Sequence, residues 1–330
     1  MPTKVESSAD VNRSAYVKIG TVPGAIDLKL LSSALREKVR GEVRFDNGSR
    51  ALYSTDGSNY RQVPLGVVVP RDIDDVVHTV RISREFGAPV LNRGGATSLA
   101  GQCCNTAVVL DFTKYMHHIL ELNPDEKYAW VQPGIINDSL RDPANGYGFT
   151  FGPDPATHNR CTIGGMIGNN SCGAHALMNG KTSENILELD VLTYEGHQLR
   201  VGRTTESELE EIVRGGGPRG ELYGKLRTLR DKYAEEVRAR YPKIPRRVSG
   251  YNIDKLLPEA GFQVAQALVG SESTLVTVLA AKCLLIHNPA HRVMVVLGYP
   301  DIFEAGEHIL EVLRISPSGW KASTASSSAT

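Results

Sequence analysis

Apolar positions recur at helical spacing over residues 26–39, where Ile26, Leu30, Leu31, Ala34, Leu35 and Val39 share one stripe. The run Gly66-Val67-Val68-Val69-Pro70 reads as a buried strand. Asp72 then caps a helix that carries Ile73, Val76, Val77 and Val80 on one face and ends near Phe86-Gly87. Pro89-Val90-Leu91 is the next strand and completes a β-α-β unit. Strand-forming residues concentrate again at 107–111, 119–122, 128–132 and 186–193, and Tyr194-Glu195-Gly196-His197 turns the chain toward a strand at 198–201. The pattern predicts an α+β fold.

Beyond Gly202 the pattern changes. Residues 206–213 and 222–241 read as helices joined by a flexible linker, Arg214-Gly215-Gly216-Gly217-Pro218-Arg219-Gly220. A strand at 293–299 and a helix at 301–313 begin a further domain. From Ser316 to Thr330 the chain is polar and low in complexity, which predicts a disordered tail. The expected organisation is a helical lead-in at 1–52, a main domain at 53–290 with its second part from 203, the start of another domain at 291–315, and the tail at 316–330.

Two glycine-rich segments interrupt the periodic pattern. They are Asn92-Arg93-Gly94-Gly95-Ala96-Thr97-Ser98-Leu99-Ala100-Gly101-Gln102 and Thr162-Ile163-Gly164-Gly165-Met166-Ile167-Gly168-Asn169-Asn170-Ser171-Cys172-Gly173. In such runs backbone N–H groups can turn toward one point and form a concave nest for an anion. Both nests are expected to project from strand ends. Their separation of about seventy residues suits a long, multiply charged cofactor lying between them, such as a diphosphate dinucleotide. At roughly 1.5–3 kcal/mol for each hydrogen bond to a charged group, four amides can hold a diphosphate without help from lysine.

Other nucleotide scaffolds do not fit. Gly94-Gly95-Ala96-Thr97-Ser98-Leu99 lacks the third glycine of a Rossmann fingerprint, and the strand-like Val108-Val109-Leu110-Asp111 follows with no helix between. No Gly-Lys-Ser/Thr follows a glycine run with the required spacing, so a Walker A loop is excluded. Lys plus Arg and Asp plus Glu each number 37, which leaves no electrostatic footprint for nucleic acid. No apolar run reaches the roughly 18 residues of a membrane span, and the longest, 274–286, contains Lys282. The first residues lack both a basic n-region and an apolar h-region, so a cytoplasmic location is expected, the inner face of a membrane included. The length of 330 residues suggests two domains. Five cysteines without a C-x-x-C argue against a disulfide framework, a zinc ribbon or an iron–sulfur signature, and suit small buried thiols. No metal site is expected.

Several motifs stand in order along the chain: Arg93-Gly94-Gly95-Ala96-Thr97-Ser98, Val131-Gln132-Pro133-Gly134, Phe151-Gly152-Pro153-Asp154-Pro155 and the segment 162–173. Val248-Ser249-Gly250-Tyr251-Asn252 and Val269-Gly270-Ser271-Glu272-Ser273-Thr274-Leu275 follow. On these motifs, residues 53–202 resemble the FAD-binding domain of the vanillyl-alcohol oxidase and p-cresol methylhydroxylase superfamily. Within it the likeness is to the FAD-linked D-2-hydroxyacid dehydrogenases, the D-lactate dehydrogenase and glycolate oxidase subunit group. The resemblance implies a two-subdomain FAD-binding domain of the vanillyl-alcohol oxidase type, followed by the start of an α+β cap domain.

It also implies roles. Arg93, Gly94, Gly95, Ala96, Thr97 and Ser98 wrap the FAD diphosphate, and Pro133 and Gly134 lie on the flavin side. Thr162, Gly164, Gly165, Gly168, Asn170, Ser171 and Gly173 close over ribose and diphosphate from the other side, while Asp154 stands where the cofactor enters. Gln102, Thr157 and Ile186 complete the cofactor-binding set. The superfamily pattern has glycine where this chain has Ala96 and Ser273; a side chain there costs about 1 kcal/mol if φ is positive. Thr97 stands where covalently flavinylated members carry histidine, so non-covalent FAD is expected.

The implied reaction oxidises a small D-2-hydroxy acid, of the D-lactate, D-2-hydroxyglutarate or glycolate class, to the 2-oxo acid by hydride transfer to flavin N5. The electrons pass on to a quinone, a cytochrome or a partner subunit. A base must come within about 2.6–3.2 Å of the hydroxyl proton. His158 and His175, near the second segment, are the candidates, and each suits a structural hydrogen bond as well. Arg93 and Arg160 are the cations that could meet a carboxylate, Arg93 being better placed for the diphosphate. Relatives of this kind continue into a cap that carries the substrate-binding and acid–base residues. The chain is therefore expected to be truncated, and the alternative to an enzyme is a catalytically incomplete FAD-binding fragment or accessory subunit.

Overall fold

A computed structural model describes residues 26–315 together with 317 and 319. The chain opens with α1 (Leu28–Lys38), β1 (Glu42–Arg44), α2 (Asn47–Leu52), β2 (Gly66–Val69), α3 (Ile73–Glu85), β3 (Val90–Arg93) and β4 (Val108–Asp111). The four strands form one sheet in the order β1-β2-β4-β3, in which β4 runs parallel to β2 and β3 while β1 is antiparallel to β2. The stripe of α1 (Leu31, Leu35) and that of α3 (Val76, Val80) pack on Val68, Val108 and Leu110. The opposite face buries Val67, Val69, Leu91 and Val109 beside Tyr53 and Tyr115. Burial on both faces explains the unbroken valine runs of β2 and β4.

Aspartates fix the ends of this unit. Asp72 accepts a hydrogen bond from the Asp75 N–H at 3.1 Å and so caps α3. The fully buried Asp75 accepts from the Arg40 and Arg71 N–H groups at 2.8 and 2.9 Å, tying the turn before α3 to the strand approach of β1.

A second sheet holds β5 (Ile119–Asn123), β6 (Tyr128–Val131), β7 (Phe149–Phe151), β8 (Ile186–Leu192), β9 (Gln198–Val201) and β10 (Thr277–His287). The order is β5-β6-β10-β8-β9, all antiparallel, with β7 on the far end of β10. The long apolar run is therefore the central strand of this sheet, which is why it tolerates so few charges. Around it lie α4 (Asn137–Asn145), α5 (Ile163–Asn169), α6 (Ala176–Asn179), α7 (Glu206–Gly215), α8 (Gly217–Arg240) and α9 (Val264–Leu268). Their core joins Val131, Phe151, Ile163, Met166, Leu189, Leu209, Tyr223 and Phe262.

Four expectations need correction. The lead-in is not wholly helical, because Glu42–Arg44 is an edge strand, too short to show periodicity; residues 1–25 lie outside the described part. Residues 214–220 are not a flexible linker. α7 runs to Gly215, Gly216 turns at φ 65°, and α8 begins at once, so left-handed glycine backbone joins two packed helices through a single residue. No strand forms at 293–299: Val293, Met294, Val295 and Val296 are exposed and meet no partner strand among the described residues, and a strand is made by its neighbour. The helix expected at 301–313 is divided at His308 into α10 (Ile302–Glu307) and α11 (Ile309–Leu313). The tail falls almost wholly outside the described residues.

Candidate functional site

A cleft with about 730 Å³ of space open to solvent lies between the loop after β3 and helix α5. Its walls are Asn92, Arg93, Gly94, Ser98, Gln102 and Cys103 on one side and Thr162, Gly164, Gly165, Ile167, Gly168 and Asn169 on the other. Phe112, Pro133, Leu268, Val276 and Val278 supply apolar lining, and Ser271, Glu272 and Ser273 complete the rim.

The first wall is a loop that carries the chain between the parallel neighbours β3 and β4 with no helix in between. Among the described residues, the backbone N–H groups of Gly94, Gly95, Ala96, Thr97, Ser98 and Leu99 find no acceptor within the protein. Ala96 lies at φ 52°, the left-handed conformation that folds successive amides into a nest. The loop is braced from behind. The Gly57 N–H donates to the Ala96 carbonyl at 3.0 Å, and the Cys103 N–H donates to Asp56 Oδ2 at 3.2 Å. The Arg93 guanidinium donates to the carbonyls of Tyr53, Cys103 and Thr55 at 3.2, 3.1 and 2.8 Å, and stacks over the Tyr53 ring. These donors hold the loop's two ends together, a use that matches the guanidinium fork to carbonyl oxygens. Cys103 is pushed toward the neutral thiol by burial.

The second wall differs from expectation in kind. Residues 163–169 are a helix, not a loop projecting from a strand end, and Thr162 caps it. Its first amides are already used. The N–H of Ile163 donates to the Ile135 carbonyl at 2.9 Å, that of Gly164 to the Pro133 carbonyl at 2.8 Å, and that of Gly165 to Thr162 Oγ1 at 3.2 Å. The start of the helix thus offers a smooth surface and no nest, because capping has satisfied its donors. A Cβ on Gly164 would meet Pro133 at 2.8 Å, whereas one on Gly168 would meet nothing nearer than Glu272 Cα at 3.8 Å. Gly164 is small for packing. Gly168 is small beside open cleft.

At its C-terminal end α5 is fastened to the segment before β10. The Gly270 N–H donates to the Ile167 carbonyl at 2.8 Å and the Glu272 N–H to the Gly168 carbonyl at 3.0 Å. Glu272 and Ser273 are consecutive left-handed residues, at φ 48° and 65°, in a turn closed by the Thr274 N–H on the Ser271 carbonyl at 2.9 Å.

Of the residues read from the sequence, Arg93, Gly94, Ser98, Gln102, Pro133, Thr162, Gly164, Gly165 and Gly168 line this cleft. Gly95 and Gly134 back its walls, where a Cβ would meet the Arg160 carbonyl at 2.2 Å and the Phe112 carbonyl at 2.0 Å. Ala96 and Thr97 belong to the loop without lining the cleft. Others are not brought there. Ile186 is buried in the core of the second sheet, and Asn170 is buried with its Oδ1 accepting from the Ser183 N–H at 3.0 Å. Ser171 hydrogen-bonds Asn169 Oδ1 at 2.8 Å, and Thr157 closes a turn through its carbonyl to the Arg160 and Cys161 N–H groups. Gly173 packs on Asp154, whose carboxylate engages the His175 ring. His158 pairs with Asp138 at 2.7 Å. Neither histidine lines the cleft. Asn92, Cys103, Phe112, Ile167, Asn169, Leu268, Ser271, Glu272, Ser273, Val276 and Val278 also line the cleft; Asn92, Ile167 and Asn169 lie in the glycine-rich segments and Ser271 to Ser273 in the Val269–Leu275 motif, while the others carry no signal in the sequence.

Among the described residues no cluster of metal-ligating side chains occurs, and no helix is long and apolar enough to cross a membrane. All five cysteines are free.

Residues 64–202 match the family described as FAD binding domain. The chain is 31% identical over 296 residues to the D-2-hydroxyglutarate dehydrogenase of Pseudomonas putida, covering 87% of this chain and 29% of that protein. It is 28% identical to the D-2-hydroxyglutarate dehydrogenase of Escherichia coli, with 87% and 29% covered. Against the glycolate oxidase subunit GlcD of Bacillus subtilis, identity is 28%, with 84% and 49% covered. The chain thus spans under a third of the length of the dehydrogenases it matches. Among solved structures, an alkyldihydroxyacetonephosphate synthase superposes with a TM-score of 0.56 at 16% identity, over 80% of this chain and 41% of that one. A carbohydrate oxidase from Microdochium nivale gives 0.54 at 12% identity, over 78% and 44%. These two likenesses establish the fold.

Proposed function

From the FAD binding domain match over residues 64–202 and the likeness to D-2-hydroxyglutarate dehydrogenases, we propose that the chain belongs with the FAD-linked D-2-hydroxyacid dehydrogenases of the p-cresol methylhydroxylase-type superfamily, binds FAD reversibly in the cleft between the loop 94–102 and α5, and serves the oxidation of a small D-2-hydroxy acid to the 2-oxo acid. When bound, FAD supplies the two-electron acceptor for the hydride leaving the hydroxyl-bearing carbon. The observation that carries this reading is the loop of unpaired amides from Gly94 to Leu99, whose Gly94 and Ser98 line the cleft opposite a helix face left bare at Gly165 and Gly168. N–H groups without a protein acceptor are free to meet an anion, and the two at the cleft, Gly94 and Ser98, could contribute on the order of 3–6 kcal/mol on a diphosphate before desolvation and entropy costs.

The remaining residues divide the work. Arg93 and Asp56 fix the loop, so its amides need not reorganise on binding. Thr162 and Pro133 hold α5 at close approach. Phe112, Val276 and Val278 give an aromatic ring system an apolar surface to lie on. Thr97 cannot form the histidyl linkage, which supports a dissociable cofactor.

A second reading is favoured by one observation. Val293 to Val296 present a run of exposed apolar side chains beside the folded body, which suits a chain that holds FAD while its substrate cover comes from further structure. The test separates the two. Purified protein reconstituted with FAD should turn yellow and release free flavin on denaturation; dye reduction with D-lactate, D-2-hydroxyglutarate or glycolate selects the enzyme, and a yellow but inert protein selects the FAD-holding chain. A folded protein that stays colourless with excess FAD refutes both.

A further inference from the structure

Local charge departs from the balance of the whole chain between residues 237 and 253. Arg238, Arg240, Lys243, Arg246 and Arg247 stand there with no aspartate or glutamate among them. The stretch is the end of α8 and the loop that follows, and it borders a second cleft with about 1170 Å³ of space open to solvent. Tyr233, Glu236 and Arg240 form the helix side, and residues 246–251 form the loop side. Two of the five cations are paired inside the protein, Arg238 with Glu259 at 2.7 Å and Arg247 with Asp254 at 2.6 Å. Arg240 meets no acceptor among the described residues. Arg246 meets no carboxylate among them, and one of its nitrogens lies 3.1 Å from Cys172 Sγ and 3.4 Å from the Gly173 carbonyl. The backbone N–H groups of residues 246–251 also find no acceptor among the described residues. The loop that carries them is held. The Tyr241 hydroxyl donates to the Tyr251 carbonyl at 3.0 Å, Lys181 Nζ donates to the Pro245 carbonyl at 3.2 Å, and the Tyr251 and Thr274 hydroxyls meet at 2.8 Å. Gly250 turns the loop at φ 79°, beside open space.

From these free donors we infer that the cleft between the end of α8 and the loop 241–253 is an anion site that takes a small organic dianion, a dicarboxylate or a phosphate ester. No residue lines both this cleft and the one beside the glycine-rich loop. Guanidinium forks match the oxygens of carboxylate and phosphate alike, and two of them without a carboxylate partner suit a ligand of two negative charges. Because the loop is anchored at both ends, its amides need little reordering when an anion arrives. Tyr233 and Tyr251 offer the body of the ligand an aromatic wall. Glu236 is the one acid in the lining, and it repels an anion toward the arginines. A diffuse basic surface would use all its cations alike. Lys243 belongs to the basic run but not to the lining, so it separates a built site from diffuse attraction.

The experiment titrates the full chain with succinate and with phenyl phosphate by calorimetry, at constant ionic strength and with excess FAD present. Arg240→Gln, Arg246→Gln and Lys243→Gln are run beside wild type, with the melting temperature of each. Wild type should bind at least one of the two anions with a Kd of about 1 mM or below. Each arginine variant should bind at least about ten-fold more weakly, and Lys243→Gln within about two-fold of wild type. Arg240 has no partner to lose, so Arg240→Gln should keep the wild-type melting temperature, and its lost affinity reads the site alone. Binding of succinate assigns a dicarboxylate and binding of phenyl phosphate a phosphate ester; either supports the inference. A wild type that binds neither anion overturns it, as does an Arg240→Gln variant that binds as wild type does. A loss in Lys243→Gln equal to that in Arg240→Gln overturns it too, by making the region a diffuse basic surface. Sedimentation with phosphatidylglycerol vesicles by a wild type that binds neither soluble anion would make the patch a membrane contact and likewise overturn the site. The arginine variants assign the site whether or not FAD is held, so its failure is distinct from a failure to bind flavin.

Discussion

Gly94 and Thr162 stand so close that a Cβ on the glycine would lie 1.9 Å from the threonine Oγ1, the same oxygen that caps α5 through the Gly165 N–H. The loop of unpaired amides and the smooth helix are therefore seated on one another, and the width of the cleft is set at this contact. Replacing Gly94 with alanine must push the two walls apart or displace the cap. The expected cost is about 1–3 kcal/mol of stability, accompanied by loss of flavin retention on gel filtration.

Gly168 should respond in the opposite sense. Space for a Cβ exists there, and alanine is the better helix former by about 1 kcal/mol. Gly168→Ala is expected to raise the melting temperature of the apo chain while weakening FAD binding, because the added methyl takes room that the protein itself leaves unused. Calorimetry for the first quantity and flavin fluorescence for the second check the pair of signs.

Ala96 and Ser273 hold left-handed backbone with side chains attached. Relief of about 1–2 kcal/mol of strain, less about 0.4–1 kcal/mol for the greater freedom of glycine in the unfolded chain, leaves Ala96→Gly and Ser273→Gly each more stable by up to about 1.6 kcal/mol. Urea unfolding curves of the single and double variants measure it, and a destabilised Ala96→Gly would contradict the strain argument.

Asp75 is buried at the foot of α3 and answers two backbone N–H groups, those of Arg40 and Arg71. Asp75→Ala strands both and is expected to cost about 1–3 kcal/mol. The cleft lies elsewhere, so FAD affinity of the folded fraction should be retained; affinity falling in step with stability would show that the two regions are coupled.

Glu42 accepts from Lys114 Nζ, from Arg44 and from the Tyr115 hydroxyl, and the lysine contact first, then the arginine, lowers its pKa from 4.5 to about 2. A carboxylate acidified on folding stabilises the protein above its unfolded pKa, and that contribution disappears as pH falls through the folded value. Unfolding free energy should therefore decline more steeply between pH 4.5 and 2 in wild type than in Glu42→Gln. Equal slopes in urea titrations across that window would rule this out.

The amino-acid order by itself determined the elements whose pattern is long or punctuated. The stripes of α1 and α3, the valine runs of β2 and β4, the Asp72 cap and the hairpin before β9 follow from local periodicity and capping, and they stand where the sequence puts them. Glycine-rich composition marked both walls of the cleft, because backbone approach without a Cβ leaves a trace in residue type. What each glycine is for was decided only by tertiary structure. Gly94, Gly95 and Gly164 are small because another segment lies against them, Gly168 because nothing does, and the first amides of the second segment were consumed by partners at Pro133, Ile135 and Thr162 that no local pattern reveals. The same holds for Arg93, whose carbonyl partners lie up to forty residues away, and for Glu272, which reaches Gln102 from the far side of the chain. Hydrogen-bond partners are assigned by folding. Sequence lists the donors, and only the packed chain shows which of them remain free for a ligand.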